Sequence, residues 1–175
     1  ARPPARGLTA DRRPTPATLP AFGTDREGHR IRRLRFLSGQ VAAVEEIWLD
    51  GAEADRIAPG DLSESLYLFY RQRLGIWIAR AEDRIGQGPV PDWAPPEFPH
   101  APGTPLPLIT RVSWAQDGRS VEASLTWTLG AHLEALVLTG AANLAGTGNA
   151  LDNTMVGNAV DITLTGAHGN DMLEG

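Results

Sequence analysis

The chain has 175 residues, of which 42% are hydrophobic, and this composition is typical of a globular protein with a buried core. It contains no cysteine, which excludes disulfides, thiolate catalysis and cysteine-ligated zinc. No apolar run approaches the roughly 20 residues that a membrane-spanning helix needs. The length allows one ordinary domain or two small ones.

Charge divides the chain into two parts. All 16 basic residues are arginines, and none lies beyond Arg119. Residues 1–129 contain 16 acidic residues and 16 arginines, whereas residues 130–175 contain five acidic residues and no basic one. The net charge of −5 therefore belongs to the C-terminal part. This break predicts two segments, 1–129 and 130–175.

The N-terminal third predicts antiparallel strands. Residues 1–28 are rich in proline, glycine and arginine and predict an irregular lead-in with a short strand near Arg6–Asp11. Residues 30–37 and 41–49 then predict a hairpin that turns at Ser38-Gly39. Register within it stays open. A two-residue loop pairs Glu45 with Arg32, whereas a three-residue loop pairs Glu45 with Arg33.

The middle of the chain predicts one main helix, and a second hairpin follows it. Apolar residues from Leu62 to Leu74 recur at helical spacing, with Asp61 or Ser63 as the N-cap and Gly75 as the C-cap. A strand follows from residue 76, and the eight prolines of residues 89–107 predict a loop. Residues 108–129 predict a hairpin around Asp117-Gly118. The fold class is therefore α+β, an antiparallel sheet with one main helix.

Several motifs of residues 5–129 resemble the UTRA domain, the effector-binding half of GntR-type transcriptional regulators of the HutC subfamily. They are RLR (33–35), SGQVAAVEEIWL (38–49), DLSESLY (61–67), ARAEDRI (79–85) and the closing hairpin that ends in EASLTW (122–127). The resemblance implies a chorismate lyase-like fold that binds a small acidic or polar effector. It also implies a cytoplasmic regulator, a homodimer, and DNA binding only through an N-terminal winged helix-turn-helix that this sequence lacks. The family's closing strand continues further than it does here, so the strand is expected to be truncated.

The resemblance implies six ligand-binding residues: Arg33, Arg35, Glu45, Ser65, Tyr67 and Glu122. Arg6 matches a further anion-contacting arginine, but Ala5 replaces the expected Ser or Thr before it. The residues themselves support an anion site, because Arg33 and Arg35 share one face of a strand and guanidinium groups bind carboxylate or phosphate as forks.

Simpler interpretations of these residues remain open. The arginines can form a solvated face paired with acidic residues, and Ser65 can be a helix cap rather than an anion contact. Tyr67 can pack at the rim of the domain. Glu122 can pair with Arg119 or Arg111 instead of a ligand.

The C-terminal segment has a nine-residue period. Gly148, Gly157, Gly166 and Gly175 are nine residues apart, which predicts a stacked β-roll. GAHGNDMLE (166–174) resembles the nonapeptide of RTX, or haemolysin-type, calcium-binding proteins. That resemblance implies Asp161 and Asp171 as calcium ligands, helped by Asp152. The alternative functions are therefore a secreted or surface calcium-binding fragment, or a fusion fragment without selected function.

Catalytic motifs are missing from the sequence. The four histidines are scattered, and no H-E-x-x-H, G-x-S-x-G, P-loop or G-x-G-x-x-G pattern occurs. We therefore expect no enzyme activity and no required cofactor, apart from calcium in the C-terminal segment.

Overall fold

The chain divides into two compact units, residues 1–128 and 129–175. The computed structural model describes the first unit almost completely and the second in short strands. The described residues are 5–37, 39–62, 65–128, 135–137, 145–147, 154–156, 163–165 and 170–174. None of the helices among them is long and apolar enough to cross a membrane.

Six strands in the described part of the first unit form one antiparallel sheet of order β1-β2-β3-β6-β5-β4. Both predicted hairpins are present, as β2-β3 and β5-β6, and β1 is longer than the short strand that the sequence predicts. The strands are β1 (Ala5–Pro14), β2 (Glu27–Leu37), β3 (Gln40–Asp50), β4 (Ile78–Pro89), β5 (Pro105–Ala115) and β6 (Ser120–Thr128).

The helix is shorter than predicted. It begins as α1 (Leu66–Phe69) and continues as a π-helical turn (Tyr70–Leu74), and Gly75 ends it at φ 68° as predicted. The N-cap is Ser65, whose hydroxyl accepts a hydrogen bond from the Leu68 N–H. The predicted cap Asp61 instead ends a short 3-10 turn, Pro59–Asp61, and Ser63 lies outside the described residues.

The two faces of the sheet are covered differently. On one face, α1 and the π turn bury Leu66, Phe69 and Tyr70 against strand residues such as Ile31 and Ile47. On the other face, Leu34 and Val44 lie in one row with Trp127, and the ring of Trp93 packs edge-on against Trp127. The proline-rich segment that contains Trp93 therefore covers this second face.

The β2-β3 hairpin combines a two-residue loop with a bulge. Leu37 pairs with Gln40, yet Arg35 pairs with Ala43, so Ala42 is left without a cross-strand partner. That extra residue shifts the register by one and brings Glu45 opposite Arg33. A two-residue loop alone would pair Glu45 with Arg32, so the bulge rather than the loop length decides the register that the sequence left open.

In the second unit, the described strands pair in parallel. β9 lies between β7 and β11, and β8 pairs with β10, so each strand pairs with the next but one. Stacking of this kind is what the nine-residue period predicts. The strands are β7 (Ala135–Val137), β8 (Ala145–Thr147), β9 (Thr154–Val156), β10 (Thr163–Thr165) and β11 (Met172–Glu174).

The predicted calcium site has no structural support. Asp161 and Asp152 lie outside the described residues. Among the described residues, which include Asp171, no group of three or more His, Asp or Glu side chains is placed to hold a metal ion. The expected truncation of the closing strand also falls outside, since the residues after Thr128 are not described until 135.

Asp50 ties two loops to the end of β3. Its carboxylate is 2% exposed and accepts hydrogen bonds from the N–H groups of Thr24 (2.7 Å), Asp25 (3.0 Å) and Ala52 (3.3 Å). Gly23 lies so close that a Cβ there would be 2.6 Å from the Asp50 Cγ. One buried carboxylate therefore fixes both the lead-in to β2 and the exit from β3.

We predict that Asp50→Asn lowers the free energy of unfolding by about 2–4 kcal/mol, because an amide group cannot accept all of these N–H donors. Urea unfolding followed by circular dichroism measures this. Asp92→Asn, at an exposed carboxylate, is the matched control and should change stability by less than about 0.5 kcal/mol. Equal stabilities for the two variants would contradict the anchoring role of Asp50.

Candidate functional site

Polar side chains form rows across the helix-facing side of the sheet. Register places Arg33, Glu45, Thr126 and Ile109 in one row across β2, β3, β6 and β5. The next row contains Ile47, Ser124 and Arg111, and the row after it contains Glu122 and Ser113. Side chains two residues apart on a strand share a face, so all of these point toward the helix side.

These rows form the floor of a cavity of about 550 Å³, within the range of small-molecule sites. All six residues that the sequence predicts as ligand contacts line this cavity. The other lining residues are Ile47, Leu66, Ile109, Arg111, Ser124 and Thr126. Arg6 is not among them, and it pairs with Glu97 at 2.7 Å instead.

Arg33 and Glu45 form a largely buried ion pair on the cavity wall. The Arg33 Nε and Nη2 donate to Glu45 Oε2 at 3.1 and 2.8 Å, and the two side chains are 9% and 16% exposed. Arg35 lies 3.9 Å from Glu45 Oε1 and is 39% exposed. Two guanidinium groups thus share one carboxylate, which leaves this wall of the cavity with a net positive charge.

Arg32 shows that neighbouring arginines serve different purposes. It faces the other side of the sheet, where it donates to Glu46 at 2.8 Å and lies over the Trp93 ring. The alternative of a paired, solvated face therefore does not describe Arg33, which points into the cavity.

Glu122 is buried at the inner end of the cavity. It is 3% exposed and accepts hydrogen bonds from the Tyr70 hydroxyl (2.7 Å) and the Ser113 hydroxyl (3.0 Å). Burial raises the pKa of the Glu122 carboxyl above its ordinary value, against these hydrogen bonds and the charge of nearby Arg33, which lower it. Neither Arg111 nor Arg119, the two ion-pair partners that the sequence suggests, forms a salt bridge with Glu122.

The partners that sequence reasoning offered for Glu122 are paired elsewhere. Arg119 binds Asp117 and Glu53, and Arg111 binds Asp83. Two bonds leave lone pairs on the Glu122 oxygens, so this carboxylate can still accept a hydrogen bond from a ligand.

The helix contributes Ser65 and Tyr67. Ser65 serves as the N-cap, so the capping alternative is observed, although Ser65 also lines the cavity. Tyr67 is 39% exposed, and its hydroxyl lies 3.2 Å from the Ser113 hydroxyl. Ser65 therefore lines the cavity while it caps the helix, and Tyr67 lines the cavity while its hydroxyl links the helix to Ser113 on β5.

Arg111 is a cavity residue that the sequence did not predict. The sequence offered it only as a partner for Glu122, because no local pattern shows that β5 lies three strands away from β2 in the same sheet. The alternation of Ile109, Arg111 and Ser113 carries that signal once β5 and β6 are paired. Arg111 adds a third guanidinium to the two that the RLR motif supplies.

Residues 8–134 match the family described as the UTRA domain. The chain belongs to the UTRA domain family. The matched region contains β2 to β6, the helix and all six predicted site residues. The predicted antiparallel, chorismate lyase-like fold is thereby confirmed for the first unit.

Relatives of this domain are transcriptional regulators. The HTH-type transcriptional regulator SmoD of Agrobacterium fabrum is 55% identical over 125 residues, which are 71% of this chain and 53% of SmoD. The chain thus spans about half the length of that relative. The chain thus contains a UTRA domain homologous to part of an HTH-type transcriptional regulator.

Solved structures share the fold. The effector domain of PhnF from Mycobacterium smegmatis aligns with a TM-score of 0.60 and 21% identity, covering 78% of this chain and 86% of that one. A GntR-family regulator from Enterococcus faecalis aligns with a TM-score of 0.60 and 15% identity, covering 74% and 96%. At these identities the likeness establishes the architecture only.

We predict that Glu122 makes the stability of the domain depend on pH. The pKa of Glu122 is raised in the folded protein, so the folded state holds the Glu122 proton at pH values where the unfolded chain, with a pKa of about 4.5, has released it. The contribution of Glu122 to the free energy of unfolding therefore falls as the pH rises from about 4.5 to the pKa of the folded state. The free energy of unfolding of wild type minus that of Glu122→Gln should therefore be larger at pH 4 than at pH 7.

Urea titrations of both proteins at a series of pH values measure this difference. Asp92→Asn is the control for removing one negative charge at the surface. A wild-type minus Glu122→Gln difference that is constant, or that grows with pH, would contradict the raised pKa.

Proposed function

We propose that this chain is the effector-binding domain of a bacterial GntR-type regulator of the HutC subfamily, and that a small acidic or polar molecule binds in its cavity. The observation that carries the proposal is the convergence of Arg33, Arg35 and Arg111 with Glu45 and Glu122 on one cavity of about 550 Å³. Guanidinium groups recognise carboxylate, sulfonate or phosphate, and the carboxylates accept from hydroxyl or amine groups of the same ligand.

The geometry favours binding over catalysis. Glu122 and Tyr70 hydrogen-bond to each other inside the core, and burial, followed by the charge of Glu122, raises the pKa of Tyr70 well above its ordinary value. A tyrosine whose pKa is raised above 10 stays protonated near neutral pH, whereas a general acid or base needs a pKa near the working pH. These residues suit recognition, and the relatives that share the fold are regulators.

The regulator as a whole would act on DNA through an N-terminal winged helix-turn-helix. We propose a cytoplasmic homodimer in which the effector shifts the relative populations of two dimer arrangements. The name of the homologue SmoD, an HTH-type transcriptional regulator, supports this assignment. The second unit has no assigned part in effector binding.

Thermal unfolding with a panel of small carboxylates, sulfonates and phosphate esters tests the proposal. A ligand present at 100 times its Kd stabilises a protein by about 2.7 kcal/mol, which should raise the Tm by roughly 5–10 °C. Arg35→Gln removes the more exposed of the two β2 guanidiniums in the cavity, so we expect it to abolish most of that shift while the fold is kept.

Arg84→Gln is the matched control, because Arg84 is exposed on β4 and is not among the residues that line the cavity. It removes the same charge and should leave the ligand-induced shift unchanged. An Arg35→Gln variant that keeps the full shift, or a loss as large in Arg84→Gln, would show that the stabilising anion binds elsewhere.

A further inference from the structure

Arg111 is held in place by a bidentate ion pair. Its Nε and Nη2 donate to Asp83 Oδ1 and Oδ2 at 2.7 and 2.8 Å, across the β4-β5 ladder. The hydrogen bonds lower the pKa of the Asp83 carboxyl and raise the pKa of the Arg111 guanidinium. Arg111 lines the cavity, whereas Asp83 is not among the lining residues. An anion in the cavity therefore meets the guanidinium before it meets the carboxylate.

Donors remain on Arg111 after this pairing. A guanidinium carries five N–H groups, and Asp83 takes two of them. The hydroxyl of Tyr67 is a further neighbour, whose hydrogen bond also raises the pKa of Arg111. Among the residues that the structure describes, at least two N–H groups of Arg111 are thus left for a ligand or solvent.

The hydrogen-bond direction fixes the role of Tyr67. Ser113 donates its proton to Glu122, so it can only accept from Tyr67. The Tyr67 hydroxyl therefore donates its proton to Ser113. The lone pairs of its oxygen remain exposed, and a cation is the favoured neighbour for them. A chain of hydrogen bonds thus runs from Tyr67 through Ser113 to Glu122.

Cationic groups lie at two opposite walls of the cavity. β3 and β6 separate β2 from β5, so three interstrand steps of about 4.8 Å place the strands about 14 Å apart, with Arg111 one row further along the sheet than Arg33. Between them the floor presents the hydroxyls of Ser124 and Thr126. A molecule that spans this floor would therefore have a guanidinium group near each of its ends.

We propose that the cavity takes a small molecule with two anionic groups, one bound at Arg33 and Arg35 and the other at Arg111. Asp83 is the positioning residue for Arg111. This inference rests on the proposed effector-binding function and adds to it the class of ligand. The hydroxyls of the floor suit a short polar linker between the two anionic groups.

A series of dicarboxylates tests the second anionic contact. Malonate, succinate, glutarate and adipate are titrated by calorimetry at constant ionic strength, each beside its own monoamide, which has the same length and one charge fewer. Wild type should bind at least one dicarboxylate about tenfold more tightly than its monoamide, since a charge-assisted contact is worth about that factor. Equal affinities for every pair would overturn the proposal.

Arg111→Gln should remove this preference and bring the dicarboxylate down to the affinity of its monoamide. Arg84→Gln, the neighbouring exposed arginine, should keep the preference. If Arg111→Gln also keeps it, Arg111 is not the second contact and the proposal fails. Binding that is lost in Arg35→Gln but unchanged in Arg111→Gln would leave the effector-binding function standing and overturn only this inference.

The Asp83→Asn variant distinguishes a positioning role of Asp83 toward Arg111 from a purely electrostatic effect of its negative charge. Removal of a negative charge near a cationic site strengthens anion binding if charge alone matters. If Asp83 positions Arg111, the variant should instead weaken dicarboxylate binding severalfold and leave the monoamide unaffected. Tighter or unchanged dicarboxylate binding would overturn the positioning role.

Discussion

The site depends on one cross-strand pair, Arg33 with Glu45. This pair exists because Ala42 bulges out of β3 and shifts the register by one residue. Without that shift Glu45 would face Arg32, and the rows of the sheet would present different side chains to the helix. Loss of one partner of such a buried pair leaves an uncompensated charge and typically costs 3–5 kcal/mol. The bulge therefore couples the stability of the hairpin to the composition of the cavity.

The helix closes the site through polar contacts as well as apolar packing. Leu66 and Phe69 pack on the core, while the hydroxyls of Tyr67 and Tyr70 reach Ser113 and Glu122 across the sheet. Buried polar networks are costly when one member lacks a partner, so this network favours a single arrangement of helix and sheet. A ligand that forms a hydrogen bond with Tyr67 or Glu122 would therefore contact the same network that fixes the position of the helix on the sheet.

Much of the site could be predicted because it follows strand alternation and a family resemblance. Arg33, Arg35 and Glu45 lie within one hairpin, where two-residue periodicity gives their face. Ser65 and Glu122 were placed by the motifs around them. The place of Arg111 in the cavity was not predicted, because it depends on the strand order β2-β3-β6-β5, a long-range property that local sequence does not encode. The bulge at Ala42 was not predicted either, because alanine is not one of the residues that signal a turn or an irregularity in a strand.

The internal ion pairs explain how a site rich in arginine can be stable without a bound anion. Glu45 satisfies Arg33 and Asp83 satisfies Arg111, so neither cation needs an external anion. A ligand must then add to these pairs or displace a carboxylate, which makes geometry matter more than charge. The net positive charge is larger on the β2 side, where Arg35 shares Glu45 with Arg33. In the proposed mode of binding, an anionic ligand is therefore attracted first to β2, and its contact with Arg111 on β5 discriminates between ligands.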